Sequence, residues 1–309
     1  MRKRSKKFKS SIAFLFILSL FFILNIDNDF IDKIKTNIFS NNIESNNHNN
    51  EKIENNYLTV YFLDVGQADS ILIKSEDKYM LIDAGNNADG SLLVDYFTKL
   101  GIKKFDYVVG THAHEDHIGG MDDIINNFDI GTFYMPDVIT TTKTFEDVLV
   151  ALDNKNIYFD VPEIGESFSL GESTIEVIYV GNDDSDLNLT SIVLKLTYND
   201  VSFLFTGDIS SEIENLILNS SIDSDVLKVA HHGSKYSSSF DFLNKVNPKY
   251  AVISVGNNNS YNHPDDITLE RLNQLKVKTY LTSKDGTLIF TSDGDRINVQ
   301  TVDVSVDGN

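Results

Sequence analysis

The 309-residue chain contains no cysteine. That excludes a disulfide framework, a thiolate zinc site, a catalytic thiol and a lipidated cysteine anchor, and it is compatible with an oxidising compartment. Positive charge is scarce. There are 26 basic against 46 acidic residues, for a net charge of −20. Six of the basic residues fall among the first nine positions (Arg2, Lys3, Arg4, Lys6, Lys7, Lys9), which leaves the remainder with 20 against 46, or −26. A body so acidic is not a general nucleic-acid binder, because non-specific affinity rests on neutralising phosphates. Beyond the N-terminus no apolar run is long enough to span a bilayer, which excludes a multi-pass membrane protein. No internal repeat is discernible, and no second linker.

What is present begins with a targeting segment. The basic start is followed by Ile12 to Ile26, a run of 15 residues in which only Ser19 and Asn25 are polar. A basic region followed by an apolar one reads as a secretory signal and is set apart from the fold. As a helix the run would span about 22 Å, short for a hydrocarbon core of about 30 Å. It also lacks a small-x-small cleavage site, so the balance leans to an uncleaved anchor over a cleaved signal. Either way the basic flank stays inside and the body is exported, to the medium or to the outer face of the cytoplasmic membrane. Residues 27–56 are Asn-rich and read as a flexible spacer. A single domain is expected over 57–309.

In that domain short apolar runs alternate with turn residues and helical patterns. Strands are expected at 58–65, 70–74, 79–82, 105–110, 174–180, 191–198, 201–206, 226–230, 250–255, 278–281, 286–291 and 297–302. Helices are expected at 91–100, 210–218, 238–245 and 267–275. The mixture predicts sheets covered by helices.

Five of the seven histidines fall into two groups. The first is Thr111-His112-Ala113-His114-Glu115-Asp116-His117, directly after an apolar strand. Imidazole and carboxylate are the ligands of zinc and its neighbours, and three His and an Asp within six residues form a strong metal signal. His112 and His114 can reach one ion from an extended loop. Asp116 and His117 turn into the next helix, whose start Gly119-Gly120 marks, and can reach a second. The second group is Val229-Ala230-His231-His232-Gly233-Ser234, also at a strand end. Adjacent side chains on a strand point to opposite faces, so one of the two His would bind the ion and the other would meet substrate. Between them Phe203-Leu204-Phe205-Thr206-Gly207-Asp208 sets a carboxylate at the end of an apolar strand, where it can bridge two ions. His263, in Tyr261-Asn262-His263-Pro264, can donate to a phosphate or protonate a leaving group. Ser234, Lys235 and Ser237 can supply further phosphate contacts. No Ser-His-Asp arrangement supports an alternative nucleophile.

Taken in order, Asp83 in LIDAG, HAHEDH, FTGD and HHGS resemble the metallo-β-lactamase-fold hydrolases. The resemblance spans about 57–300 and implies an α+β, four-layer αββα sandwich with a dinuclear site. The segments YFLDVGQADS, LKVAHHGSKYSS and ISVGNNNSYNHP narrow it to the extracytoplasmic hydrolase domain of the ComEC DNA-uptake proteins. The phosphorylcholine esterases of Gram-positive cell walls are similar too. By this resemblance His112 and His114 hold one ion, while Asp116, His117 and His232 hold the other. Asp208 bridges, Asp83 orients a ligand from behind, and His231 contacts phosphate or leaving group. Asp116, His231 and His263 are the implied catalytic residues. Many members carry a third His for the first ion, between the H-x-H-x-D-H motif and the bridging Asp. This chain has none between 117 and 208. Asn188 and Ser191 lie where that ligand would fall, which favours manganese or another oxygen-tolerant ion over tightly held zinc.

The implied cofactor is a pair of divalent ions, Zn²⁺ or Mn²⁺, and the implied chemistry is attack by a metal-bridged hydroxide on an ester, foremost a phosphodiester. The expected partners are DNA or a small or cell-wall phosphodiester, and the membrane if the N-terminal segment is retained; no protein partner is inferred. Two alternatives stand: a cell-wall phosphodiesterase of the phosphorylcholine-esterase type, weakened by the lack of choline-binding aromatic repeats, and a non-catalytic surface binding module on the same fold.

Overall fold

Two mixed β-sheets face each other, and helices cover their outer faces. The architecture is a computed structural model that describes residues 57–182 and 185–302. The expected N-terminal signal or anchor and the Asn-rich spacer lie outside the described residues.

The first sheet runs in the order β15-β14-β1-β2-β3-β4-β5-β6. Its members are β1 (Leu58–Phe62), β2 (Ser70–Ser75), β3 (Lys78–Ala84), β4 (Lys104–Val109), β5 (Asp129–Tyr134), β6 (Phe159–Asp160), β14 (Thr287–Ser292) and β15 (Ile297–Val302). The second runs β13-β12-β11-β10-β9-β8-β7. Its members are β7 (Ser167–Leu170), β8 (Ser173–Tyr179), β9 (Val193–Tyr198), β10 (Val201–Phe205), β11 (Val226–Lys228), β12 (Tyr250–Ile253) and β13 (Lys278–Leu281). Each sheet has an antiparallel half and a parallel half. β3 to β6 are parallel to one another, as are β10 to β13. A parallel step needs a crossover, and here most crossovers are helical. The helices are α1 (Gly90–Lys99), α2 (Glu115–Ile118), α3 (Met121–Asn127), α4 (Lys143–Lys155), α5 (Ser211–Ile217), α6 (Phe240–Val246), α7 (Asp266–Gln274) and α8 (Thr282–Asp285).

Three apolar layers follow from the strand alternation. Between the sheets, Val60, Phe62, Leu196, Phe203, Phe205 and Phe290 belong to one buried cluster. Phe203 and Phe290 meet edge-on at 6.1 Å, and Phe62 meets Phe290 edge-on at 5.5 Å. Full burial of such a ring contributes about 1.5–3 kcal/mol. Outside the second sheet, Ile213 and Ile217 of α5, Phe242 and Leu243 of α6 and Leu272 of α7 pack on Leu204, Leu227, Ala251 and Ile253. Outside the first, Phe97 of α1 meets Phe105 and Phe128 edge-on at 5.4 and 6.2 Å. The result is the four-layer αββα sandwich expected from the sequence.

Local signals fix element ends. α1 closes where Gly101, at φ 82°, donates to the Thr98 carbonyl while Ile102 donates to that of Phe97. This double closure is a glycine-specific stop, because the left-handed conformation carries no Cβ penalty in glycine. The segment between 121 and 173 holds α3, β5, α4, β6 and β7, and of these only α3, the helix after Gly119-Gly120, was expected. Gly119 and Gly120 do mark the start of the next helix, α3, with Gly120 as its N-cap, but Asp116 and His117 precede that helix. Those residues sit in α2, a single turn, and the glycines separate it from α3.

Candidate metal centre

The expected ligands gather at one end of the sandwich, where parallel strands of both sheets terminate. This is the side on which open α/β sheets expose their carboxyl ends and bind ligands. Asp83 is near the end of β3, and β4 leads into Thr111–His117. β10 leads into Asp208, β11 into His231 and His232, and β12 into Ser254 and the loop to His263. One sheet supplies the H-x-H-x-D-H segment and the other supplies Asp208 and His232.

At the centre stands His117, fully buried. Its Nδ1 lies 2.8 Å from Asp83 Oδ2 and its Nε2 lies 3.3 Å from Asp208 Oδ2. Asp83 also accepts from the Thr111 N–H and the Thr111 hydroxyl, both at 2.8 Å, so its carboxylate is rigidly placed. His232 is built the same way. Its Nδ1 lies 2.8 Å from the Ser254 carbonyl, and its Nε2 lies 3.3 Å from Asp116 Oδ2 and 3.5 Å from Asp208 Oδ2. An oxygen fixed against Nδ1 sets the tautomer that presents a lone pair at Nε2. The Nε2 atoms of both rings are buried and have no hydrogen-bond partner. His112 Nε2 lies 3.0 Å from His114 Nδ1, and its ring centroid lies 4.1 Å from that of His117. His112, His117 and Asp208 present ligand atoms within 4.8 Å of one another, and Asp116, His117 and His232 do the same.

Electrostatics agree with a site built for cations. Burial alone would push His117 down, but Asp208 and Asp83 outweigh it and hold the ring well above its ordinary value. Burial opposes ionisation of Asp208 too, yet His117 and His232 hold it well below the carboxylate range. Asp116 is lowered against its burial by the neighbouring imidazoles of His232 and His117. His112 is driven well below its usual value by burial and by the charge of His117. Three buried or part-buried carboxylates and four imidazoles, two of them with an unpartnered Nε2, suit a divalent ion of borderline hardness. The residues present fit the pair of ions that the sequence implies.

Behind this cluster, Ser191 Oγ accepts the Asp208 N–H at 3.2 Å. Asn188 lies in a 3-10 turn, Leu187–Thr190, with its Oδ1 buried and unpartnered. Ser191 thus adjoins Asp208, and Asn188 lies three residues before Ser191.

In front lies an open cavity of about 450 Å³, with His114, Asp116, Asp208, His231, His232 and His263 in its walls. The His231 and His263 rings stand 5.6 Å apart, edge to face, and Tyr261 stacks on His263 at 5.8 Å. Burial and the neighbouring His231 and His232 lower His263.

The structure corrects three expectations. His231 and His232 are not on a strand. β11 ends at Lys228, and both His take left-handed conformations, at φ 52° and 51°, within the turn Ala230–Gly233. The turn, rather than strand alternation, sends His232 inward and leaves His231 in the cavity wall. Ser234 does not reach the cavity. It is buried, and its carbonyl accepts from the Thr268 hydroxyl. Ser237 is likewise buried, donating to the Ile209 carbonyl. Lys235 does not line the cavity either, and its ammonium rests over the Tyr236 ring at 5.2 Å. Lys228 does not reach the cavity either, because its side chain is only 1% exposed and pairs with Asp69 at 2.6 Å. Asp69 also lies beside the site, 3.8 Å from His117 Nδ1 and 3.7 Å from His232 Nδ1; an isolated Asp just before an apolar strand carries no spacing signal in the sequence.

Two sheets with ligands shared across their strand ends define a class. The Metallo-beta-lactamase superfamily model matches residues 63–257, more than half of the chain, and the chain belongs to that superfamily. Within it, the chain is similar to ComE operon protein 3 of Bacillus subtilis, 29% identical over 252 residues, covering 75% of this chain and 32% of that protein. It is similar to Competence protein ComA of Neisseria gonorrhoeae, 27% identical over 246 residues, covering 78% of this chain and 33% of that protein. Recombination protein 2 of Haemophilus influenzae matches at 24% identity over 77% of this chain and 29% of that protein. The chain thus spans about a third of the length of the curated relatives it matches. Among solved structures, the metallo-beta-lactamase fold protein YhfI from Bacillus subtilis superposes with a TM-score of 0.51 at 12% identity, covering 76% of this chain and all of that one. Igni18, a metallo hydrolase from Ignicoccus hospitalis, gives 0.51 at 19% identity, covering 75% and 98%.

Proposed function

We propose that this chain is an exported, two-ion phosphodiester hydrolase, with nucleic acid first among the substrates to test. The observation that carries the reading is the convergence of the buried, unpartnered Nε2 atoms of His117 and His232 on Asp208 Oδ2, at the floor of an open cavity. His112 and His114 would hold one ion, Asp116, His117 and His232 the other, and Asp208 both. When bound, the ions supply an activated water at neutral pH and offset the charge that develops on the attacked oxygen.

The chain's own residues do the rest. Asp83 and the Ser254 carbonyl fix the tautomers of His117 and His232. Ser191 holds the main chain of Asp208. His231 and His263 offer two ring N–H groups at the cavity wall, spaced to meet oxygens of one phosphoryl group and its leaving group. Export is supported by the basic and apolar N-terminal segment. Among the described residues, no helix is long and apolar enough to cross a membrane. Relatives named for competence and recombination support a nucleic-acid substrate. The charge of −26 on the body limits binding to short local contacts.

The test is metal stoichiometry and turnover of bis(p-nitrophenyl) phosphate and single-stranded DNA with added Mn²⁺ or Zn²⁺, beside an Asp116→Ala/His117→Ala control. Metal-dependent turnover lost in the control is expected. Metal bound without turnover of either substrate would overturn the phosphodiester assignment, and no metal under any loading would overturn the site.

A further inference from the structure

Beneath the second group of ligands lies an ion pair that the proposed reaction does not use. Asp69 and Lys228 are each 1% exposed, and Lys228 Nζ lies 2.6 Å from Asp69 Oδ2. A buried pair of this kind is weak evidence for stability, because the cost of desolvating two charges offsets most of their attraction. Its position suggests another use. Asp69 Oδ2 lies 3.8 Å from His117 Nδ1, and Asp69 Oδ1 lies 3.7 Å from His232 Nδ1. The Asp69 N–H donates to the Asp116 carbonyl at 3.0 Å. One residue therefore touches the surroundings of all three side chains assigned to the second ion. Asp69 Oδ1 is buried and has no hydrogen-bond partner, so its charge falls on the two imidazole edges instead of being spent on a donor. Lys228 is itself anchored, donating to the Val229 carbonyl at 3.1 Å. It stands three residues before His231 and shares that segment with His232.

We propose that Asp69, pinned by Lys228, is a positioning residue for the second ion. Its carboxylate makes the Nε2 atoms of His117 and His232 better electron donors, and its main chain holds Asp116 in register with them. The proposal rests on the two-ion reading above. A carboxylate behind an imidazole ligand raises ligand basicity, and removing such a group typically lowers metal affinity about 10–100-fold.

The test is calorimetric Mn²⁺ titration of the full-length protein and of Asp69→Asn, Asp69→Asn/Lys228→Met and Lys228→Arg, with melting temperatures of the metal-free forms. The expected result is two ions in the wild type, with affinity for one of them lowered about 10–100-fold in both variants that lack the carboxylate. The exchange-coupled electron-resonance signal of a Mn²⁺ pair should give way to that of a single ion in those variants, and Lys228→Arg should keep the pair. The double variant removes both charges, so it separates loss of the positioning carboxylate from the strain of an unpaired buried lysine. Wild-type affinity for both ions in the double variant would overturn the proposal. Fewer than two ions in the wild type would overturn it together with the two-ion reading, and that result is seen before any substitution is made.

Discussion

Replacing Gly119 by alanine isolates how tightly the ligand-bearing turn is fitted. Gly119 has φ −56° and ψ −48°, a conformation any residue adopts, so alanine brings no backbone strain. Space is the difficulty. A Cβ there would lie 2.2 Å from both Asn86 C and Asn87 N, and 2.5 Å from the Glu115 carbonyl oxygen. Ordinary contact begins near 3.4 Å, so the two segments must part by about 1.2 Å, and neither can yield by rotating a side chain. One segment carries Asp116 and His117, and the other follows Asp83. The bond at risk is His117 Nδ1 to Asp83 Oδ2, now 2.8 Å. Overpacking of this kind costs about 1–3 kcal/mol. A displacement near 1 Å at a catalytic group costs about 100-fold in rate. Urea unfolding, Mn²⁺ affinity and phosphodiester turnover should all worsen in Gly119→Ala. Gly101→Ala is the control. It has φ 82° and nothing within 4 Å of the added Cβ, so its cost is conformational, about 1–2 kcal/mol, and bears on no ligand. A Gly119→Ala protein that binds metal as the wild type does would refute the reasoning, as would a Gly101→Ala protein that loses metal.

Two further outcomes are expected. Phe203→Ala, which empties a fully buried ring position between the sheets, should lower stability by about 3–5 kcal/mol in chemical unfolding, with no loss of metal in the folded fraction; a cost below 1 kcal/mol would contradict the packing described. Acidity should affect the metal-free protein and ion binding differently. His117 and His232 are raised above their ordinary values, so their contribution to metal-free stability is full below the ordinary imidazole range and is lost as pH rises through their folded values. Asp208 and Asp116 are lowered, so theirs is present above the ordinary carboxylate range and is lost as pH falls through their folded values. In the metal-free protein these four groups favour mild acid, while His112, His114 and His263, lowered by burial, oppose it; ion binding should release at least one proton at pH 7. Calorimetry in buffers of differing ionisation heat counts that proton, and a count of zero would contradict the assignment.

The metal ligands were legible because the chemistry is concentrated. Four of them lie within six residues after one strand, and Asp208 and His232 follow apolar runs whose ends are sharp. The strands and helices that flank them were legible for the same reason. The region between α3 and residue 173 was not. In α4, Phe145, Val148, Ala151 and Leu152 form a helical stripe, but the exposed Leu149 and Val150 beside it blur the period. The Asp69–Lys228 pair joins residues far apart in sequence through tertiary packing, and an isolated Asp or Lys carries no spacing signal. Strand logic failed at His231 and His232 because successive left-handed residues turn the chain there, which alternation cannot express. The reach of Ser234 and Lys235 toward substrate was overestimated for a related reason. Glu214 accepts from the Ser238 and Ser239 N–H groups, and Arg271 donates to the Ser237 and Ser238 carbonyls, so the loop is tied down toward the helices.

The seating of β1 between β2 and β14 bears on the order in which the molecule can assemble. Leu58 to Phe62 pair with Leu288 to Ser292, and the Asp64 N–H donates to the Thr287 hydroxyl, 223 residues away. Contacts of such span are slow to form, because loop closure precedes any return from packing. A nascent chain can finish the antiparallel half of its second sheet early, but its first sheet waits for β14. Until then one side of β1, an apolar strand buried in the finished fold, is an open edge able to pair with another chain. A fragment ending before residue 287 should therefore accumulate as an aggregate rather than as a smaller folded protein.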